Sequence, residues 1–181
     1  MSRNNSEIKL INIAKFKSAP WMLTASGELG QTEIHGKRAN PQIMRYFSAS
    51  RFWGKDDSGA ENAWCASFVA WVMKQHGYEP VAHAYRALSW MSFGKAIDKP
   101  VMGSIAIKKR GRGGGHVGFV VGQSSTGKYL FILGENQGDS VSIARYPANI
   151  WEAFVVPSQF DLSLSSLPIY TQSANVASSE E

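Results

Sequence analysis

Apolar residues follow a helical spacing in the first half of the chain and a strand-like spacing in the second. The run Pro20-Trp21-Met22-Leu23-Thr24-Ala25-Ser26-Gly27-Glu28-Leu29-Gly30 opens on proline and closes on glycine, which predicts a helix. Asn40-Pro41 predicts a sharp helix start, with Asn as cap, Pro at the first helical position, and Ile43, Met44 and Phe47 on the apolar face. From Ala66 onward, Phe68 pairs with Val72 and Val69 with Met73 at i,i+4 spacing, a helix that Gly77 closes. Ala84 to Phe93 predicts a further short helix, closed by Gly94. Lys99 to Gly103 then turns the chain into a strand, Ser104 to Lys108. Strands follow at about 117–122, 128–133 and 140–145, with Gly127 and Gly138-Asp139 in the hairpin turns. Helices first and an antiparallel meander second is the α+β class.

The ends differ from this middle. Residues 1–19 read as an N-terminal arm, with Ile8, Leu10, Ile11 and Ile13 suited to a short strand or a docking contact. Residues 20–157 carry the patterned domain. Residues 158–181 form a Ser-rich tail expected to be poorly ordered, with Ile169 and Tyr170 its only docking points. Apolar residues make up 44% and charged residues 18%, so the chain can bury a core and is no disordered segment. No stretch reaches the ~20 apolar residues of a membrane span, so no membrane insertion is expected. Met1-Ser2-Arg3-Asn4-Asn5-Ser6-Glu7 is polar and lacks the apolar centre of a signal peptide.

Cys65 is the only cysteine, which excludes an intrachain disulfide and any Cys-rich zinc site. It stands at the start of the Ala66 helix, where unpaired N–H groups and the helix dipole favour a thiolate. A thiolate beside a base is a nucleophile for covalent catalysis. His116 follows Gly113-Gly114-Gly115 and opens a β-rich run, so its imidazole is expected at the mouth of a strand. The next strand, Tyr129 to Leu133, ends in Gly134-Glu135-Asn136-Gln137-Gly138-Asp139. Asn136 or Glu135 is placed to accept the imidazole N–H and fix its tautomer. Asn62 is the better of the polar residues before Cys65 for an oxyanion or substrate contact. Trp64 adjoins the nucleophile and is held open as a wall of the cleft.

The segments Ala63-Trp64-Cys65-Ala66-Ser67-Phe68-Val69, Gly115-His116-Val117-Gly118-Phe119-Val120-Val121-Gly122 and Leu133-Gly134-Glu135-Asn136-Gln137-Gly138-Asp139 resemble the CHAP group. These are cysteine, histidine-dependent amidohydrolases and peptidases, related to the NlpC-type cell-wall peptidases. The resemblance runs from about Pro20 to about Pro157 and is closest to small hydrolases of phage lysins and antibacterial secretion effectors. It implies a papain-like core, with the nucleophile helix packed on an antiparallel sheet. It implies Cys65 as nucleophile, His116 as base and Asn136 as orienter, with no cofactor. Many members carry Glu-x-Asn at the third site, whereas here Glu135 and Asn136 are adjacent, which leaves the role of Glu135 open. NlpC-type members often carry Asp before the Cys, and Trp64 stands there instead, which favours the CHAP side.

By the same resemblance the substrate is peptidoglycan, at an amide of the stem peptide or the one joining it to the sugar. An effector would be made in the bacterial cytoplasm and act in the periplasm or wall after delivery by a secretion system or lysis. It would be held in check by an immunity protein. Other classes are an acyltransferase on the same scaffold and a non-catalytic basic wall-binding module.

The net charge of +5 is concentrated in part at Lys108-Lys109-Arg110-Gly111-Arg112 and suits an anionic wall polymer. No aromatic residues interleave with these charges, so nucleic acid is not expected as a partner. His35, His76 and His83 lack metal-ligand spacing and are read as structural or solvated, so no metal is expected. Trp53, Trp71 and Trp90 are read as core.

Overall fold

A computed structural model describes residues 16–34, 39–54, 63–135, 139–172 and 175–176. The N-terminal apolar positions Ile8 to Ile13 lie outside the described residues, as do His35, Asn62 and Asn136.

The expected helices form, each closed by its own local chemistry. α1 spans Trp21–Gly27 and buries Trp21, Met22 and Ala25. α2 spans Pro41–Ser50; the Asn40 side chain accepts from the Gln42 N–H at 2.8 Å, and Arg51 in the left-handed region (φ 58°) ends it. α3 spans Cys65–Gln75. Its C-terminus is a Schellman turn: the Gly77 N–H reaches Lys74 O at 3.1 Å and the Tyr78 N–H reaches Met73 O at 3.2 Å, with Gly77 at φ +77°. The segment predicted as a helix over 84–93 is a 3-10 helix, Ala87–Ser92, tied by the Trp90 indole N–H to Ala84 O at 2.9 Å.

The strands are β1 (Lys95–Ile97), β2 (Ile105–Lys109), β3 (Gly115–Gln123), β4 (Tyr129–Gly134), β5 (Ser142–Pro147), β6 (Ala153–Val156) and β7 (Asn175–Val176). Their order is β1-β6-β2-β3-β4-β5-β7, antiparallel throughout except for the parallel pairing of β7 on β5. The expected α+β fold with an antiparallel sheet is therefore present. β1 and β6, absent from the sequence expectation, form one edge of the sheet by pairing with each other and, through β6, with β2.

Alternation along the strands sorts the side chains onto two faces. Ile105, Ile107, Val117, Phe119, Val121 and Leu133 face the helices, where Phe68 of α3 meets Phe119 edge-on at 6.1 Å. Ala106, Val120, Leu130, Ile132, Ala144, Tyr146 and Trp151 form a smaller cluster on the other face. Two features fix α3 against α2. The Tyr46 ring contacts Trp64, Phe68 and Trp71 with centroids at 5.7, 5.5 and 5.2 Å. The buried hydroxyls of Ser50 and Ser67 meet at 2.7 Å. After β6 the chain runs back over the sheet: Phe160 is buried against Trp21, Tyr170 stacks on Phe131 at 4.4 Å, and the Gln123 N–H bonds Pro168 O at 2.9 Å.

Candidate active site

Helix α3 points its first residue at the start of β3. Cys65 is the first helical residue, and Trp64, its N-cap, offers no side-chain acceptor. The Cys65 sulfur stands close to the backbone N–H groups of Val117 and Ala66. It thus lies against the strand beside His116, on the floor of an open cleft of about 570 Å³. Tyr85, Arg86, Ser89 and the backbone of Gly113 to Gly115 line the rest.

The glycines have a steric reason to be there. Gly113 sits at φ +80°, and a Cβ on Gly115 would lie 2.8 Å from Leu88 Cδ2 and 3.1 Å from Lys108 O. Side chains here would strain the turn and displace the Leu88 wall of the cleft.

The thiol is not the thiolate that its place at a helix start leads one to expect. Cys65 is only 3% exposed, and burial, followed by the nearby Glu135 carboxylate, pushes its pKa up to about 12. Arg110 and the two backbone N–H groups act the other way but are outweighed. Desolvation costs the anion more than two N–H groups and one cation return. At neutral pH the sulfur carries its proton.

His116 is also fully buried. It shares the strand face of Val120, opposite Val117, so its ring packs against Tyr146 at 5.7 Å and Trp151 at 6.1 Å between centroids. Its Nε2 stands 3.4 Å from the Tyr146 hydroxyl, while Nδ1 has no hydrogen-bond partner among the described residues. Burial, with Arg110 and then Lys108 nearby, holds its pKa well below the ordinary value of 6.5. The imidazole is therefore neutral at pH 7 and able to accept a proton. Among the described residues no hydrogen bond links it to Cys65: the sulfur lies on the helix side of β3, by Val117, and the ring is turned to the other face, toward Tyr146.

Glu135 follows β4 and is buried close enough to Cys65 to raise its pKa. The β3–β4 pairing runs from Phe119↔Leu133, and Glu135 follows directly after the last residue of β4, Gly134. Trp64 does not wall the cleft. It is fully buried, stacked on Tyr46, with its indole N–H donating to Glu33 at 2.9 Å. Of the two readings of His76, structural or solvated, the structural one holds: burial lowers its pKa, and its Nε2 meets the Thr24 hydroxyl at 2.9 Å. Trp53 is not core either, being 71% exposed.

Sequence reasoning missed Tyr146, Trp151 and Lys108 around the imidazole. Lys108 is the cross-strand partner of His116, and its Nζ lies 5.3 Å above the Tyr146 ring. The signal was present in part: alternating apolar positions along the β5 run put Ala144 and Tyr146 on one face, but the contact of Tyr146 with His116 is made across the folded sheet and leaves no mark in the local pattern.

Residues 56–136 match the family model of the CHAP domain. The match contains Cys65 and His116 and ends at Asn136. No curated protein and no solved structure matches the chain.

Proposed function

We propose that the protein, whose residues 56–136 match the CHAP-domain model, is a cysteine amidase or endopeptidase that cuts an amide of peptidoglycan stem peptides. The observation that carries this reading is the lone cysteine on the floor of an open cleft, inside the matched region and close to Val117 of β3, the strand that carries His116. The resting pair is a protonated thiol and a neutral imidazole, so attack begins with proton transfer rather than from a standing ion pair. Nδ1 of His116, without a hydrogen-bond partner among the described residues, is the proposed acceptor. In the free protein the ring faces the side of the sheet away from the sulfur, so the proposed proton transfer requires the His116 side chain to turn toward Cys65 when substrate binds.

The thiolate then adds to the amide carbonyl. The oxyanion is met by the backbone N–H of Cys65 and one further donor, each worth about 10²–10³ in rate. His116 returns the proton to the leaving amine, and water hydrolyses the thioester. Arg86, at the lip of the cleft, and Arg110 supply positive charge toward the carboxylates of a stem peptide. Asn136 remains the proposed orienter of the ring, accepting the Nε2–H that also faces the Tyr146 hydroxyl.

Such an enzyme is an antibacterial effector or a small lysin, delivered to the wall by a secretion apparatus or by lysis. Co-purification with a small inhibitor that plugs the cleft marks the effector. The activity is tested by incubating purified peptidoglycan with the protein and identifying the released fragments by mass spectrometry. Cys65→Ala and His116→Gln should release none while keeping the circular dichroism of the parent. Release by Cys65→Ala at the parent rate overturns the mechanism.

A further inference from the structure

Tryptophan is the side chain a soluble domain most needs to hide, and here Trp53 is left 71% exposed while the other tryptophans are buried or half-buried. It is nonetheless held in place. The Phe52 N–H bonds Phe47 O at 2.9 Å just after α2 ends at Arg51, and the Phe52 ring packs on the buried Phe47 ring at 4.9 Å. Gly54 presses on the far side of Phe52; a Cβ there would lie 2.7 Å from its Cε1. Trp53 then rests on Phe52 at 5.1 Å and against the Tyr85 ring at 5.3 Å. Phe52 and Tyr85 themselves meet at 5.5 Å. The result is a braced aromatic shelf with one indole facing solvent.

The shelf is continuous with the active-site cleft. Tyr85 is a wall of the Cys65 cleft and also of a second groove, of about 450 Å³, that contains Arg51, Lys74 and His83. Polar groups rim it: His83 Nδ1 and the Tyr85 hydroxyl lie 3.2 Å apart, and the Arg86 guanidinium stands 5.7 Å from the Tyr85 ring centre. A flat apolar face edged by hydrogen-bonding groups matches a pyranose ring, whose C–H face is apolar and whose rim carries hydroxyl and amide groups.

We propose that Trp53 and Tyr85 form a carbohydrate subsite that takes an N-acetylated aminosugar ring of the glycan strand, so that the attached stem peptide descends into the Cys65 cleft. This rests on the amidase reading for the nature of the polymer, but binding on the shelf needs no chemistry at Cys65. The protein is thus a reader of sugar as well as peptide.

The test separates the two claims. The catalytically blocked Cys65→Ala protein is titrated with a peptide-free tetrasaccharide of N-acetylglucosamine and N-acetylmuramic acid, read by tryptophan fluorescence. A saturable change, lost in Cys65→Ala/Trp53→Ala and retained in Cys65→Ala/Trp53→Phe, supports the subsite. With active enzyme, Trp53→Ala should lower kcat/KM on glycan-linked fragments by about tenfold, the loss of one stacked ring. It should leave kcat/KM on the free stem peptide unchanged. No fluorescence response to the tetrasaccharide, or an equal loss on both substrates, overturns the proposal, Trp53 then facing a protein partner or only solvent. If the tetrasaccharide binds and nothing is cleaved, the amidase reading fails while the subsite stands.

Discussion

Unfolding the protein should make Cys65 react faster with iodoacetamide, not slower. In the folded state burial and the Glu135 carboxylate hold its pKa at about 12, against 9.0 for a free thiol on the same scale. At pH 7.5 that difference leaves about a thousandth of the thiolate. A more basic thiolate is a better nucleophile, and a Brønsted slope of about 0.4–0.5 recovers roughly twentyfold. The net expectation is alkylation about 50-fold slower than in the unfolded chain, before any further slowing from poor access. The single cysteine makes intact-mass spectrometry a direct readout of the rate. The native rate should climb close to tenfold for each pH unit from 7 to 10 without levelling. Glu135→Gln removes the second-largest cause of the raised pKa. If it lowers the pKa by about 1, the least expected from losing a neighbouring like charge, thiolate rises about tenfold and the rate about threefold. A native rate equal to or above the unfolded one, or a plateau below pH 8, would refute the account and restore the resting thiolate.

Two further outcomes follow from the surroundings of His116. Tyr146→Phe deletes a neutral hydroxyl 3.4 Å from Nε2, so kcat should fall by about 2- to 12-fold, the worth of one such hydrogen bond, with KM unchanged; a loss above a hundredfold would make Tyr146 part of the chemistry rather than a support. Because the folded pKa of His116 lies below 6.5, the unfolded chain binds the proton more readily once the pH drops through that value. The stability His116 contributes is therefore present above pH 6.5 and lost below it. In denaturant titrations at pH 7.5 and 5.0, His116→Gln should gain on the parent as the solution is acidified, and a constant gap between the two proteins would contradict the buried, neutral ring.

Features set by a few neighbouring residues were legible in the chain. Asn40-Pro41 and Gly77 act within one turn of their own helices, and both do in the fold what their chemistry requires. β1 and β6 were not legible. Three or four residues carry too little periodicity, and Lys95 to Ile97 becomes a strand only because Val156 to Phe154 lies beside it. Gly94 makes room for that pairing, since a Cβ there would sit 2.0 Å from Val156 O. The site divides the same way. The alternation of His116, Gly118 and Val120 against Val117, Phe119 and Val121 is plain in the sequence, but which set meets the helices is decided by Phe68 and the rest of the core. The helix-start argument for a thiolate failed because sequence shows the dipole and hides the burial. Trp53 was misread as core because apolar character alone does not say which side of Phe52 faces water.

The guarded state of the sulfur bears on how the protein ages. Hydrogen peroxide attacks thiolates, and the path from sulfenic to sulfonic acid starts only once the proton has gone. A cysteine kept protonated and nearly sealed from water enters that path slowly. In the proposed mechanism the molecule therefore endures oxidants while idle and is most vulnerable during turnover, when the base has drawn the proton away.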